Sequence, residues 1–78
     1  MELISTALQG CYLVQPFFAE DERGVFVKTF NVERFSSLGL PTDWREEYCS
    51  VSRKGVIRGM HFQTPPKDHE KLVYCLQG

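Results

Sequence analysis

Gly55-Val56-Ile57-Arg58-Gly59-Met60-His61-Phe62-Gln63, followed by Lys71-Leu72-Val73, is the stretch on which the reading of this chain turns. Val56 to Gln63 has the β-branched and aromatic content of a strand, and Arg53-Lys54-Gly55 before it is a turn. Thr64-Pro65-Pro66-Lys67-Asp68 behind it is a stiff loop, and Glu70 to Leu76 is a further strand. Two neighbouring apolar segments thus carry an arginine, a histidine and a lysine. Side chains alternate along a strand, so Arg58 and His61 should face opposite sides of a sheet. For both to serve one pocket the strand needs a bulge between them, and Gly59 is the residue type that permits one.

Working back toward the N-terminus, Glu46 to Ser52 reads as a strand. Asn31 is the N-cap of a short helix, Val32 to Ser37, which Gly39 ends and Pro41 prevents from resuming. Val25 to Phe30 is a strand entered from the turn Asp21-Glu22-Arg23-Gly24, where Gly24 is available for a positive φ. In that turn Arg23 has Asp21 and Glu22 within reach as ion-pair partners. Cys11 to Gln15 is a strand ended by Pro16. Trp44, Phe62 and Tyr74 are assigned to packing, Arg53-Lys54 to a solvated turn, and His69 to solvent beside the proline-rich loop. Five or so short strands with one small helix predict an all-β sandwich or barrel. The last strand runs into Gly78 with no closing element after it, so residues 1–78 read as the front part of a single domain.

At 78 residues the chain holds at most one small domain with a thin margin of stability. Its 42% hydrophobic and 13% aromatic content argues for a folded chain rather than a disordered one. The net charge of -1, the pI near 6.1 and the interspersed signs leave no electrostatic footprint for nucleic acid. No basic amphipathic stretch addresses a membrane surface, and no apolar run is long enough to span one. Glu2 stands where the positive region of a signal peptide would be. Cys11, Cys49 and Cys75 are odd in number, far apart and without a CxxC, which argues against a disulfide framework or a zinc site. They read as reduced, mostly buried thiols of a cytoplasmic protein.

Four blocks carry a resemblance: Asp21-Glu22-Arg23-Gly24 with Phe26, Ser50-Val51-Ser52, Val56 to Gln63, and Lys71-Leu72-Val73. Together they resemble the dTDP-4-dehydrorhamnose 3,5-epimerase family, the dTDP-sugar branch of the cupins; the third block is the specific one. The resemblance implies a cupin-type jelly roll, incomplete here and with one short helix. It also implies a homodimer that binds a nucleotide-linked 4-keto-6-deoxyhexose, without metal or redox cofactor. By position, His61 is the general base, Lys71 the cation beside the developing enolate, and Arg23 and Arg58 the ligand-holding arginines. Phe26 either packs in the core or stacks on the ligand. Family members are rather more than twice this length, and the resemblance puts the histidine's carboxylate partner and a tyrosine acid beyond Gly78.

The chemistry asks for these residue types. Protons next to a ketone are weakly acidic, and a histidine, with a pKa of about 6.5, is the side chain best matched to abstract them near neutrality. A lysine beside the enolate oxygen supplies the electrostatic stabilisation, and two arginines can grip a diphosphate. Three positions depart from the family: Lys28 stands where a glutamate usually contacts the nucleotide base, Glu46 for a glutamine, and Tyr48 for an asparagine. Lysine only donates hydrogen bonds and ionised glutamate only accepts them, so thymidine as the nucleotide does not follow. A different nucleotide sugar, or epimerisation at one carbon only, stays open.

Metal-binding cupins place a glycine, five residues, then His-x-His. Gly55 and His61 keep that spacing, but Gln63 occupies the second histidine position, which leaves too few ligands for a first-row metal. Two other readings compete with the epimerase. One is a cupin ketoisomerase or metal-dependent dioxygenase. The other is a non-catalytic truncated cupin that binds a ligand, or pairs with a partner through open strand edges.

Overall fold

The computed structural model describes all 78 residues, which divide into two compact units, Met1–Trp44 and Arg45–Gly78. All regular structure lies in the first. Strand β1 (Glu2–Ser5) pairs antiparallel with β2 (Tyr12–Gln15), with Glu2 opposite Gln15 and Ser5 opposite Tyr12. β2 stops before Pro16, whose nitrogen has no hydrogen to give a ladder. The connecting loop is organised by Thr6. Its Oγ1 lies 2.9 Å from the Cys11 carbonyl and 3.2 Å from that of Leu8, and it accepts from the Leu8 amide at 3.1 Å.

Strand β3 (Phe17–Asp21) pairs antiparallel with β4 (Gly24–Lys28), from Phe17 opposite Lys28 to Asp21 opposite Gly24. Gly24 takes φ +116°, the positive value the turn reading required. Asp21 closes this turn twice. Its Oδ1 accepts the Arg23 backbone N–H at 2.9 Å, and its carboxylate takes Nη2 at 2.6 Å and Nε at 3.1 and 3.2 Å. β4 ends sooner than the predicted Val25 to Phe30, because Thr29 and Phe30 leave the ladder as the chain turns toward the helix that Asn31 caps.

Helix α1 (Val32–Ser37) forms where the capping residues put it. Asn31 sits in extended backbone and its Oδ1 accepts the Arg34 N–H at 3.0 Å. At the other end Gly39, at φ +71°, donates to the Ser36 carbonyl at 3.0 Å while Leu40 donates to Phe35 at 2.9 Å. That pair of bonds is a Schellman closure, which relieves two of the helix's orphan carbonyls. Phe35 on this helix is 1% exposed, the sole buried hydrophobic residue, and packs edge-on against Phe30 with ring centroids 4.8 Å apart.

The strands that form are all antiparallel, in two separate two-stranded sheets, so the architecture is all-β with one short helix. The second unit departs from expectation. The strands predicted at Glu46 to Ser52, Val56 to Gln63 and Glu70 to Leu76 do not form, although the turn at Arg53-Lys54-Gly55 does, closed by Val56 N–H to the Arg53 carbonyl at 3.2 Å. A strand exists only against a neighbour that takes its backbone hydrogen bonds, and these segments meet none. For the same reason no bulge stands at Gly59, since there is no ladder for one to interrupt.

The unpaired segments show in the exposed surface. The chain exposes 7883 Å², where a compact monomer of this mass would expose about 4,900 Å². Phe62 and Tyr74 are 77% and 49% exposed, against the packing role assigned to them. Trp44 is half-buried, with its indole N–H covered yet unpartnered. All three cysteines are exposed thiols rather than the buried ones expected.

Two outcomes follow from this fold. An apolar surface of this extent should drive self-association, so size-exclusion chromatography across a concentration series is expected to show species above the monomer mass. A clean monomer throughout would contradict that. The second concerns Asp21, whose pKa the guanidinium and backbone bonds of Arg23 hold below the 3.8 of a free aspartate. A folded-state pKa that is depressed contributes stability above the unfolded value, and that stability is lost as pH falls through the folded one. A carbon-detected NMR titration should therefore place the Asp21 midpoint below 3.8, with the Arg23 and Gly24 amides shifting in step.

Candidate functional site

Directly paired residues of antiparallel strands share a face, so Phe17, Ala19 and Asp21 of β3 lie on the same side as Gly24, Phe26 and Lys28 of β4. At the tip of this hairpin is an open hollow of about 430 Å³ lined by Ala19, Asp21, Arg23, Gly24, Val25 and Phe26. Arg23 and Phe26, both expected to hold ligand, are thereby brought together. Phe26 is 60% exposed, so it is not a core residue here and its ring is available to stack. The Arg23 guanidinium is held at its Nε and Nη2 edge by Asp21, which raises its pKa as it lowers that of the carboxyl. Nη1 has no partner. Lys28 lies on the same face at the opposite end of the hairpin, exposed beside Phe17.

The second unit holds the other candidates. Arg58 donates from Nε to the Ser52 hydroxyl at 2.9 Å, which leaves both terminal nitrogens of its guanidinium unengaged. Lys71 donates from Nζ to the backbone carbonyl of His61 at 3.3 Å. That bond puts an ammonium at the residue whose imidazole, exposed and without a hydrogen bond, is the candidate base. The bond is to the backbone oxygen and not to the ring; an ammonium beside a base is the kind of group that stabilises an enolate. His69 instead sits with Nδ1 3.3 Å from the Lys67 carbonyl, closing its own loop. Glu46 and Tyr48 are exposed, Tyr48 at 78%. No group of three or more His, Cys, Asp or Glu side chains is gathered in a way that could hold a metal ion.

The predicted residues therefore fall into two sets. Arg23, Phe26 and Lys28 belong to the first unit, and Glu46, Tyr48, Arg58, His61 and Lys71 to the second. Sequence reasoning named both arginines and offered Asp21 or Glu22 as the ion-pair partner of Arg23, of which the structure pairs Asp21; it assigned no role to Ser52, which holds Arg58. For Asp21 the signal was present, since an aspartate two positions before an arginine in a turn can accept both its amide and its side chain. For Ser52 there was none, because six residues of separation across a turn say nothing of contact.

The description of the family whose model matches residues 5–78 is dTDP-4-dehydrorhamnose 3,5-epimerase. The protein of that name from Methanothermobacter thermautotrophicus is 40% identical over 75 residues, which is 96% of this chain and 40% of the relative. The one from Escherichia coli K12 is 35% identical over 79 aligned positions, 100% of this chain and 43% of the relative. A dTDP-4-dehydrorhamnose 3-epimerase from Streptomyces niveus is also 35% identical, over 100% of this chain and 38% of its own length. No solved structure matches. The chain spans about two-fifths of the length of these curated relatives. With a family model that matches residues 5–78 and relatives 35 to 40% identical along nearly the whole chain, the chain belongs to the dTDP-4-dehydrorhamnose 3,5-epimerase family.

Proposed function

We propose that this chain is the N-terminal part of a single jelly-roll domain of a sugar-nucleotide epimerase. The substrate is a nucleoside-diphosphate-linked 4-keto-6-deoxyhexose. The observation that carries the reading is the 3.3 Å bond from Lys71 Nζ to the His61 carbonyl, which seats a cation at the candidate base. In this mechanism the neutral His61 imidazole removes the proton from a carbon next to the ketone. The electron pair moves onto the ketone oxygen, and the Lys71 ammonium stabilises that enolate. Return of a proton to the opposite face inverts the centre; the family resemblance gives that step to a tyrosine outside these residues. No change of oxidation state occurs, so no redox cofactor is called for, and the Lys71 ammonium supplies the charge that a Lewis-acid metal would otherwise bring to the enolate oxygen. Arg23 and Arg58 bind the diphosphate, and Phe26 stacks on the ligand, which spends remote binding energy on orienting the sugar. Lys28, Glu46 and Tyr48 face the nucleotide base, and the full-length form is read as a cytoplasmic homodimer.

The direct test is deuterium wash-in from heavy water into a nucleotide-linked 4-keto-6-deoxyhexose, followed by NMR. Label is expected at carbon 3 or 5, abolished in His61→Asn and slowed by about 100-fold in Lys71→Met. Absence of label from a sample with dispersed amide signals would favour the non-catalytic reading, and label surviving His61→Asn would remove His61 as the base.

Base recognition is tested separately by Lys28→Glu, which restores an acceptor at that position. Affinity for thymidine diphosphate, measured by calorimetry, is expected to rise about tenfold, the gain typical of a hydrogen bond to a charged group. An unchanged affinity would place position 28 away from the base.

A further inference from the structure

The guanidinium of Arg23 offers five N–H donors along two bidentate edges, one made by Nε and a terminal nitrogen and the other by the two terminal nitrogens. Asp21 occupies the first edge, with contacts of 2.6, 3.1 and 3.2 Å, and also takes the Arg23 backbone N–H at 2.9 Å. One carboxylate thus fixes both the root and the head of this side chain. What is left open is the terminal edge, whose Nη1 has no partner, at a hollow that Phe26 also lines. Arginine carries much rotamer entropy, and an arginine held in advance loses less of it when a phosphate arrives.

We propose that Asp21 is a positioning residue for a phosphate-binding arginine: it occupies the inner edge of the Arg23 guanidinium so that the terminal edge is presented to the diphosphate of the substrate. This rests on the reading of Arg23 as a ligand-holding residue. A competing account makes the same contacts a solvated surface pair, since the two side chains are 85% and 40% exposed and such pairs add little to stability. The two accounts differ in sign. If Asp21 only neutralises Arg23, its removal unmasks a cation and tightens binding of any polyanion. If it positions Arg23, its removal weakens binding even though a repelling negative charge has gone.

The experiment is an NMR titration of the chain with inorganic pyrophosphate, comparing wild type, Asp21→Asn, Arg23→Ala and the double variant. Asparagine keeps an Oδ1 that accepts the Arg23 backbone N–H, so the hairpin stays closed, and the Gly24 and Phe26 amide positions report whether it has. Asp21→Asn is expected to weaken pyrophosphate binding by about three- to tenfold, with no further loss when it is added to Arg23→Ala. An affinity unchanged or tightened in Asp21→Asn, with Arg23→Ala still weakening binding, would overturn the positioning role alone. An Arg23→Ala variant that binds as wild type does would remove Arg23 from the ligand site, and the inference with it. A loss in Asp21→Asn accompanied by displaced Gly24 and Phe26 amides would also overturn it, as the signature of a merely structural residue.

Discussion

A backbone hydrogen bond that leaves water must find another partner, and this requirement decides which parts of the chain acquire regular structure. Each element that forms is closed by groups near it in sequence. β3 and β4 are joined by a turn that Asp21 ties, and β1 and β2 by a loop organised through Thr6. The helix is stopped at both ends by its own neighbours, Asn31 and Gly39. Local closure is inexpensive in chain entropy, because few residues need to be ordered before a bond is made. Arg45–Gly78 contains segments of equal or greater strand propensity, yet none has a partner of complementary direction, and none becomes a strand. Ile57, Met60 and Val51, at 95%, 94% and 90% exposed, are the residues one would place inside a sandwich, and here they face solvent.

This division explains how much of the fold was legible. The helix was read from Asn31 to Gly39 because caps act through bonds spanning three to five residues, and such bonds are written in the local sequence. The turn at Asp21 to Gly24 was legible for the same reason. β1 and β3 were missed, since Glu2–Ser5 is brief and Phe17–Asp21 begins after a proline and ends in two acids, so neither shows the alternation that marks a strand. The later segments were read as strands from propensity, which measures fitness for a pleated surface and not the presence of a neighbour to form one. Burial went wrong with them: the cysteines, Phe62 and Tyr74 were assigned to an interior that a single helix and two hairpins do not make.

The site was legible in a different way. The spacing of Arg58, His61 and Lys71 did not say that Lys71 would reach back to the His61 carbonyl, because ten residues with two prolines among them fix no distance. Family resemblance named the pair, and the structure joins the two residues through the backbone oxygen rather than the ring. The arginines share a feature that the resemblance did not contain. Each is held by Nε, Arg23 on a carboxylate and Arg58 on the neutral Ser52 hydroxyl. Equal in geometry, the two holds are unequal in charge. Arg58 keeps its full positive charge for a ligand, while that of Arg23 is partly offset at its inner edge.

That inequality bears on how the work of binding is shared in the proposed enzyme. A diphosphate is drawn in by net charge and oriented by directed donors, and these are separable contributions. Arg58 is suited to the first, Arg23 to the second. In the same proposal Lys28, Glu46 and Tyr48 serve a third contribution, recognition of the base, where a donor and an acceptor cannot stand in for each other. Proton abstraction depends on none of the three, since it needs only a base near its working pKa and a cation at the incipient oxyanion. In the proposed enzyme the residues that read the nucleotide can therefore differ without touching the step assigned to His61 and Lys71.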